Sequence, residues 1–142
     1  MRYSAYGKTH VGKVRDHNED SFFVSEKDGF FIVSDGMGGL AQGEVASQIT
    51  RDAISSFLSE EHDPSVPYDK ILREAFSRAN HKVRRFLEEH PSPKGIGCTC
   101  VVLAFRENDF YIAYVSDSRI YLFRNNVLKQ ISRDHSYVEE LF

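Results

Sequence analysis

Three acidic clusters hold the side chains of this sequence best suited to chemistry. Arg15-Asp16-His17-Asn18-Glu19-Asp20 is the first, Asp35 opens Asp35-Gly36-Met37-Gly38-Gly39, and Asp117 sits within Val115-Ser116-Asp117-Ser118-Arg119. Carboxylates beside glycine at strand ends suit a hard divalent cation, which takes oxygen ligands. Glycine lets backbone carbonyls approach such an ion. Acids brought close together repel one another unless a cation neutralises them. Arg15 adds a planar guanidinium fork, the group best shaped to grip a phosphate dianion. Each piece alone also has a plainer reading. Asp-Gly pairs make turns, Glu19-Asp20 can be a solvated strand entry, and Asp117 before Ser118 can close an Asx-turn. Arg15 and Arg119 can be solvent-facing charges, and His17, His62 and His135 need be no more than surface histidines.

The elements that must position these groups follow from the hydrophobic pattern. A short strand is expected around Tyr3, Ala5 and Val11, a second over residues 21–25, and a third over residues 30–34 after the Lys27-Asp28-Gly29 turn. Both faces of the third are apolar, which predicts a strand in a buried sheet. From Glu44 the period changes, and Val45, Ala46, Ile49, Ala53, Ile54, Phe57 and Leu58 form one helical stripe. A second amphipathic helix begins after Pro67 and carries Ile71, Leu72, Ala75, Phe76, Ala79, Val83, Phe86 and Leu87. Strands return over residues 99–105 and 110–115, and Asn125-Asn126 predicts a tight hairpin between 120–123 and 127–131. Residues 136–142 read as a helix beginning, with Ser136 as its cap and Glu139 three positions on. The order of elements is that of an α+β fold.

Composition narrows the function. The chain has 142 residues and a net charge of −3, which suits one globular domain with a real core. That charge gives no reason to expect nucleic acid or an anionic membrane as a partner. No apolar run approaches a membrane span, and residues 1–8 are too polar for a secretory signal. A cytoplasmic location is the default expectation. Cys98 and Cys100 stand one residue apart; on one strand they would share a face, poorly placed for a disulfide, and no second Cys/His pair stands at zinc-ligand spacing. They read as buried, reduced thiols.

Taken in order, residues 12–20, 33–47, 97–101 and 115–121, with Arg133-Asp134-His135-Ser136, resemble the metal-dependent serine/threonine protein phosphatases, the PPM or type 2C family, in their bacterial form. Asp35-Gly36-Met37-Gly38-Gly39 followed by Gly43-Glu44 is the strongest single signal. The resemblance implies an antiparallel β-sandwich flanked by helices, a four-layer α-β-β-α fold, with residues 1–142 as the N-terminal part of one catalytic domain. It implies hydrolysis of phosphoserine and phosphothreonine in proteins by a water activated between two Mn²⁺ or Mg²⁺ ions, with a third ion in bacterial members. On that alignment Asp35 bridges two metals and the Gly36 carbonyl binds one of them. Asp20 and Glu19 act on the metals through water, Arg15 binds the substrate phosphate, and Asp117 helps hold the third ion. Ser116, Ser118 and Arg119 are supporting residues.

Two departures accompany the resemblance. Met37 stands where eukaryotic members often carry a proton-donating His, so water or another group must protonate the leaving group. The later Asp-Gly and Asp-Asn motifs that donate two more metal-binding aspartates do not follow, so the chain reads as cut short and inactive alone. The expected partners are phosphoproteins, the substrates of a serine/threonine kinase. Strand-swapped self-association or pairing with a complementary C-terminal piece is also expected. The alternative is a non-catalytic phosphate- or protein-binding remnant of the same fold; a structural metal-binding domain fits less well, because it has no use for Arg15.

Overall fold

Alternation of buried and exposed residues organises the sheet. The computed structural model describes residues 3–38, 42–91 and 95–135. Strands β1 (Asp20–Ser25), β2 (Phe30–Met37), β4 (Cys100–Arg106) and β5 (Asp109–Val115) form an antiparallel sheet in the order β1-β2-β4-β5, and the short β3 (Gly97–Cys98) pairs with β2. Along β2, Phe30, Ile32, Ser34 and Gly36 are buried, while Phe31, Val33, Asp35 and Met37 are more open. The strand therefore has one buried face. Two-faced burial, expected from its apolar composition, is corrected: Val33 is 48% exposed.

The buried face meets two helices, α1 (Gln42–Leu58) and α2 (Tyr68–Glu89). Ala53, Ile54, Phe57 and Leu58 of α1 and Ile71, Leu72, Ala75 and Ala79 of α2 form one core with Phe30, Ile32, Cys100, Val102 and Ala104. Pro67 is the N-cap of α2, where its missing N–H costs nothing. No helix among the described residues is long and apolar enough to cross a membrane.

β6 (Tyr121–Arg124) and β7 (Val127–Gln130) make a separate two-stranded sheet. Asn125 and Asn126 both adopt positive φ (53° and 60°), the conformation a two-residue hairpin turn requires. The α+β expectation is thus met by an antiparallel sheet with two helices, joined by this hairpin.

Two further expectations change. Residues 3–19 contain no strand; the segment is held by side chains instead. Tyr3 stacks on Phe105 with ring centroids 5.1 Å apart, and Glu26 accepts hydrogen bonds from the Tyr3 hydroxyl through its carbonyl and from the Ala5 N–H through its carboxylate. Cys98 and Cys100 lie on β3 and β4, separated at Thr99. Both are free; Cys98 is half-buried rather than buried, while burial pushes the Cys100 thiol well above its ordinary range. The helix expected over residues 136–142 lies outside the described residues.

Candidate metal centre

One end of the sheet gathers the acids. Asp20 opens β1 and Asp35 lies near the end of β2, and the ladder makes them direct cross-strand partners. The strand expected over residues 30–34 runs on through Asp35 to Met37, because β3 pairs with it at Gly36 and Met37. A cleft of about 540 Å³ is lined by Arg15, Glu19, Asp20, Asp35 and Gly36, with His10 and His17 beside them. Asp117 is outside that lining, yet its charge acts on Asp35. Partial burial raises the Asp35 pKa above the ordinary 3.8, and Asp20, Asp117 and Glu19 raise it further. A cation would relieve that repulsion.

Backbone packing brings α1 against the acids. The Gly36 N–H donates to the Glu19 carbonyl at 3.1 Å, and the Gly43 carbonyl lies so close that any Cβ at residue 36 would overlap it. The Glu19 carboxylate likewise covers Gly43, leaving no room for a side chain there. The buried Ser47 hydroxyl bridges the carbonyls of Glu19 and Glu44, at 2.6 and 2.9 Å. Asn18 accepts the Asp20 N–H (3.0 Å) and donates to the Thr9 hydroxyl (2.8 Å), shaping the approach to β1.

On the other side of Asp35 stands Thr99. Its N–H donates to the Asp35 carbonyl at 2.8 Å, and its Oγ1 accepts the Asp35 N–H at 3.1 Å. The Ser34 hydroxyl donates to the Thr99 carbonyl at 2.7 Å, and the Thr99 and Ser118 hydroxyls are hydrogen-bonded. Ser116 adopts φ +70° at the turn before Asp117, and its carbonyl accepts the His135 N–H at 3.0 Å.

The arginines divide clearly. Arg119 is committed to Asp134: its Nη2 lies 2.5 Å from Oδ2, and its Nε is 3.0 Å from both carboxylate oxygens. Arg15 lines the cleft and forms no ion pair among the described residues.

The side chains in the cleft suit a hard cation, for Glu19, Asp20 and Asp35 offer only oxygen. They do not complete a cage: among the described residues, no group of three or more His, Cys, Asp or Glu is placed to hold a metal ion. Thr99 and Ser47 were not singled out by sequence reasoning. The one signal of Thr99 is a hydroxyl between two cysteines at an otherwise apolar strand entry.

A family model described as protein phosphatase 2C matches residues 6–142. Among curated relatives, serine/threonine phosphatase stp of Listeria monocytogenes is 36% identical over 139 residues, covering 94% of this chain and 55% of that protein. Serine/threonine protein phosphatase PstP of Mycobacterium tuberculosis is 33% identical over 141 residues, covering 99% of this chain and 26% of that protein. This chain thus spans about half, or less, of these relatives' length. The crystal structure of the Mycobacterium tuberculosis phosphatase PstP/Ppp superposes with a TM-score of 0.84 at 33% identity, over 94% of this chain and 55% of that one. A PstP catalytic domain in complex with two manganese ions gives a TM-score of 0.83 at 32% identity, over 94% and 56% of the two chains. With the acids, the glycine contacts and the fold agreeing, the chain belongs to the protein phosphatase 2C family.

Proposed function

We propose that this chain carries the N-terminal part of a catalytic domain that hydrolyses phosphoserine and phosphothreonine in proteins, using two Mn²⁺ or Mg²⁺ ions and a third at Asp117. The observation that carries the reading is one cleft lined by Arg15, Glu19, Asp20, Asp35 and Gly36 in a chain of the phosphatase 2C family. The PstP structure with two manganese ions supports the choice of metal. When bound, the ions supply an acidified water and offset the charge on phosphate.

The residues divide the remaining work. Asp35 and the Gly36 carbonyl, both in the cleft lining, would hold the pair of ions. Asp20 and Glu19 orient water around them by hydrogen bonding. Arg15 binds the phosphate dianion and holds phosphorus for in-line attack. Asp117 would supply a carboxylate to the third ion. Met37 has no proton to give, so the departing alkoxide is protonated by water or by another group. The substrates are phosphoproteins made by a serine/threonine kinase, and the reaction takes place in the cytoplasm.

Residues 1–142 alone are proposed to turn over negligibly, because they lack the later Asp-Gly and Asp-Asn motifs that supply two further metal-binding aspartates. Phe123, Val127 and Leu128 are more than 60% exposed and β5 is an edge strand. Such surfaces favour self-association, strand exchange or a complementary piece. The functional test is hydrolysis of p-nitrophenyl phosphate by the natural full-length protein: activity should require Mn²⁺ or Mg²⁺, and full activity in excess chelator would overturn the assignment.

A further inference from the structure

We infer that Thr99 is a positioning residue for the metal centre, holding Asp35 in place and joining it to the loop of Asp117; this rests on the metal reading above. The pairs Val33↔Val101 and Gly36↔Cys98 share one register, which places Thr99 opposite Asp35. A regular antiparallel pair at that position exchanges two backbone hydrogen bonds. Here one is regular, Thr99 N–H to Asp35 carbonyl at 2.8 Å. The other is replaced: the Asp35 N–H goes to Thr99 Oγ1 at 3.1 Å, and the Thr99 carbonyl instead takes the Ser34 hydroxyl at 2.7 Å.

That exchange has a consequence for the Asp117 loop. A backbone carbonyl in the rung would end the chain of contacts at the sheet. The Thr99 hydroxyl instead continues it to the Ser118 hydroxyl, next to Asp117. Thr99 is 4% exposed, so water does not replace the lost partner readily, and the rung is fixed on both sides. Asp20 flanks Asp35 on the opposite edge. Asp35 is therefore held between a second acid and a hydroxyl relay, and its ligand geometry depends on Oγ1.

The test uses the natural full-length protein with Thr99→Val, Thr99→Ser, Ser118→Ala and the Thr99→Val/Ser118→Ala double variant. Valine keeps the β-branch and the backbone N–H but removes the hydroxyl. Mn²⁺ affinity by titration calorimetry should fall about 10- to 100-fold in Thr99→Val, as for other residues that orient metal ligands. Thr99→Ser should recover most of it. Ser118→Ala should weaken affinity in the wild-type background and have no further effect on top of Thr99→Val. Without metal, amide exchange at Asp35 should be faster in Thr99→Val than in wild type or Thr99→Ser, whereas a merely structural role would leave serine as poor as valine. Wild-type affinity in Thr99→Val, or no rescue by serine, overturns the inference. If Thr99→Val does not fold, Ser118→Ala against Thr99→Ser decides, with unchanged affinity in Ser118→Ala counting against the relay. Wild-type protein that binds no Mn²⁺ overturns the metal reading instead, and Asp35 amide exchange still decides the anchoring.

Discussion

Asp20 and Asp35 face each other across the β1–β2 ladder, two acids in a position where opposite charges or apolar pairs are the stabilising choice. The folded chain holds the Asp35 proton more tightly than an unfolded chain would, because burial, then Asp20, Asp117 and Glu19, raise its pKa. A raised carboxyl favours folding at acidic pH, below about 4, and that contribution is lost as pH rises through the raised value. At neutral pH without metal the group is a net cost. Asp35→Asn should therefore raise the melting temperature in chelator at pH 7.5, with the gain fading as pH is lowered. The same variant should lose Mn²⁺-dependent turnover. Thermal melts at two pH values check the sign, and a destabilised variant at neutral pH would contradict it.

Arg15 and Asp117 should fail differently. On the proposed roles, Arg15→Ala would remove charged hydrogen bonds to the substrate phosphate, so KM should rise about 10- to 100-fold with a smaller change in kcat. Asp117→Ala should shift the metal concentration needed for full rate while leaving the bridged pair of ions assembled. Steady-state kinetics over a Mn²⁺ series separates the two; equal losses in all parameters would contradict the assigned roles.

Gly36 tests the backbone packing. A methyl added at Gly36 would strike the Gly43 carbonyl, whereas a methyl at Gly97 would meet only the Met37 side chain, 3.9 Å away. Gly36→Ala should cost roughly 1–3 kcal/mol and displace Glu19. Gly97→Ala should stay within about 0.5 kcal/mol of wild type. Denaturant unfolding of the two variants checks the contrast.

A polypeptide of residues 1–142 should be larger than a monomer by light scattering and show no Mn²⁺-dependent turnover above background. Phe123, Val127 and Leu128, among the exposed apolar residues, would drive the association. A monomer with robust turnover would show that two further aspartates are not needed.

Periodicity made much of the fold legible. The stripe from Ala46 to Leu58 and that from Ile71 to Val83 carry their burial in their spacing, and Asn125-Asn126 announces a turn by backbone preference. β2 was harder, because Phe31 and Val33 are apolar whether or not anything covers them. The segment around Tyr3, Ala5 and Val11 alternates like a strand, yet its tie is a Tyr3–Phe105 stack, which no local pattern encodes. In the site, Arg15, Glu19, Asp20, Asp35 and Gly36 were readable because charge and glycine stand out in a sequence. Thr99 and Ser47 were not, since their importance comes from which distant carbonyl or N–H each hydroxyl meets.

The most direct measurement is anomalous diffraction at the manganese edge from crystals of the full-length protein grown with Mn²⁺. Two peaks should lie about 2.0–2.3 Å from the Asp35 carboxylate oxygens, one of them also coordinated by the Gly36 carbonyl. Manganese elsewhere, with none bound to Asp35, would contradict the assignment of this cleft as the metal centre.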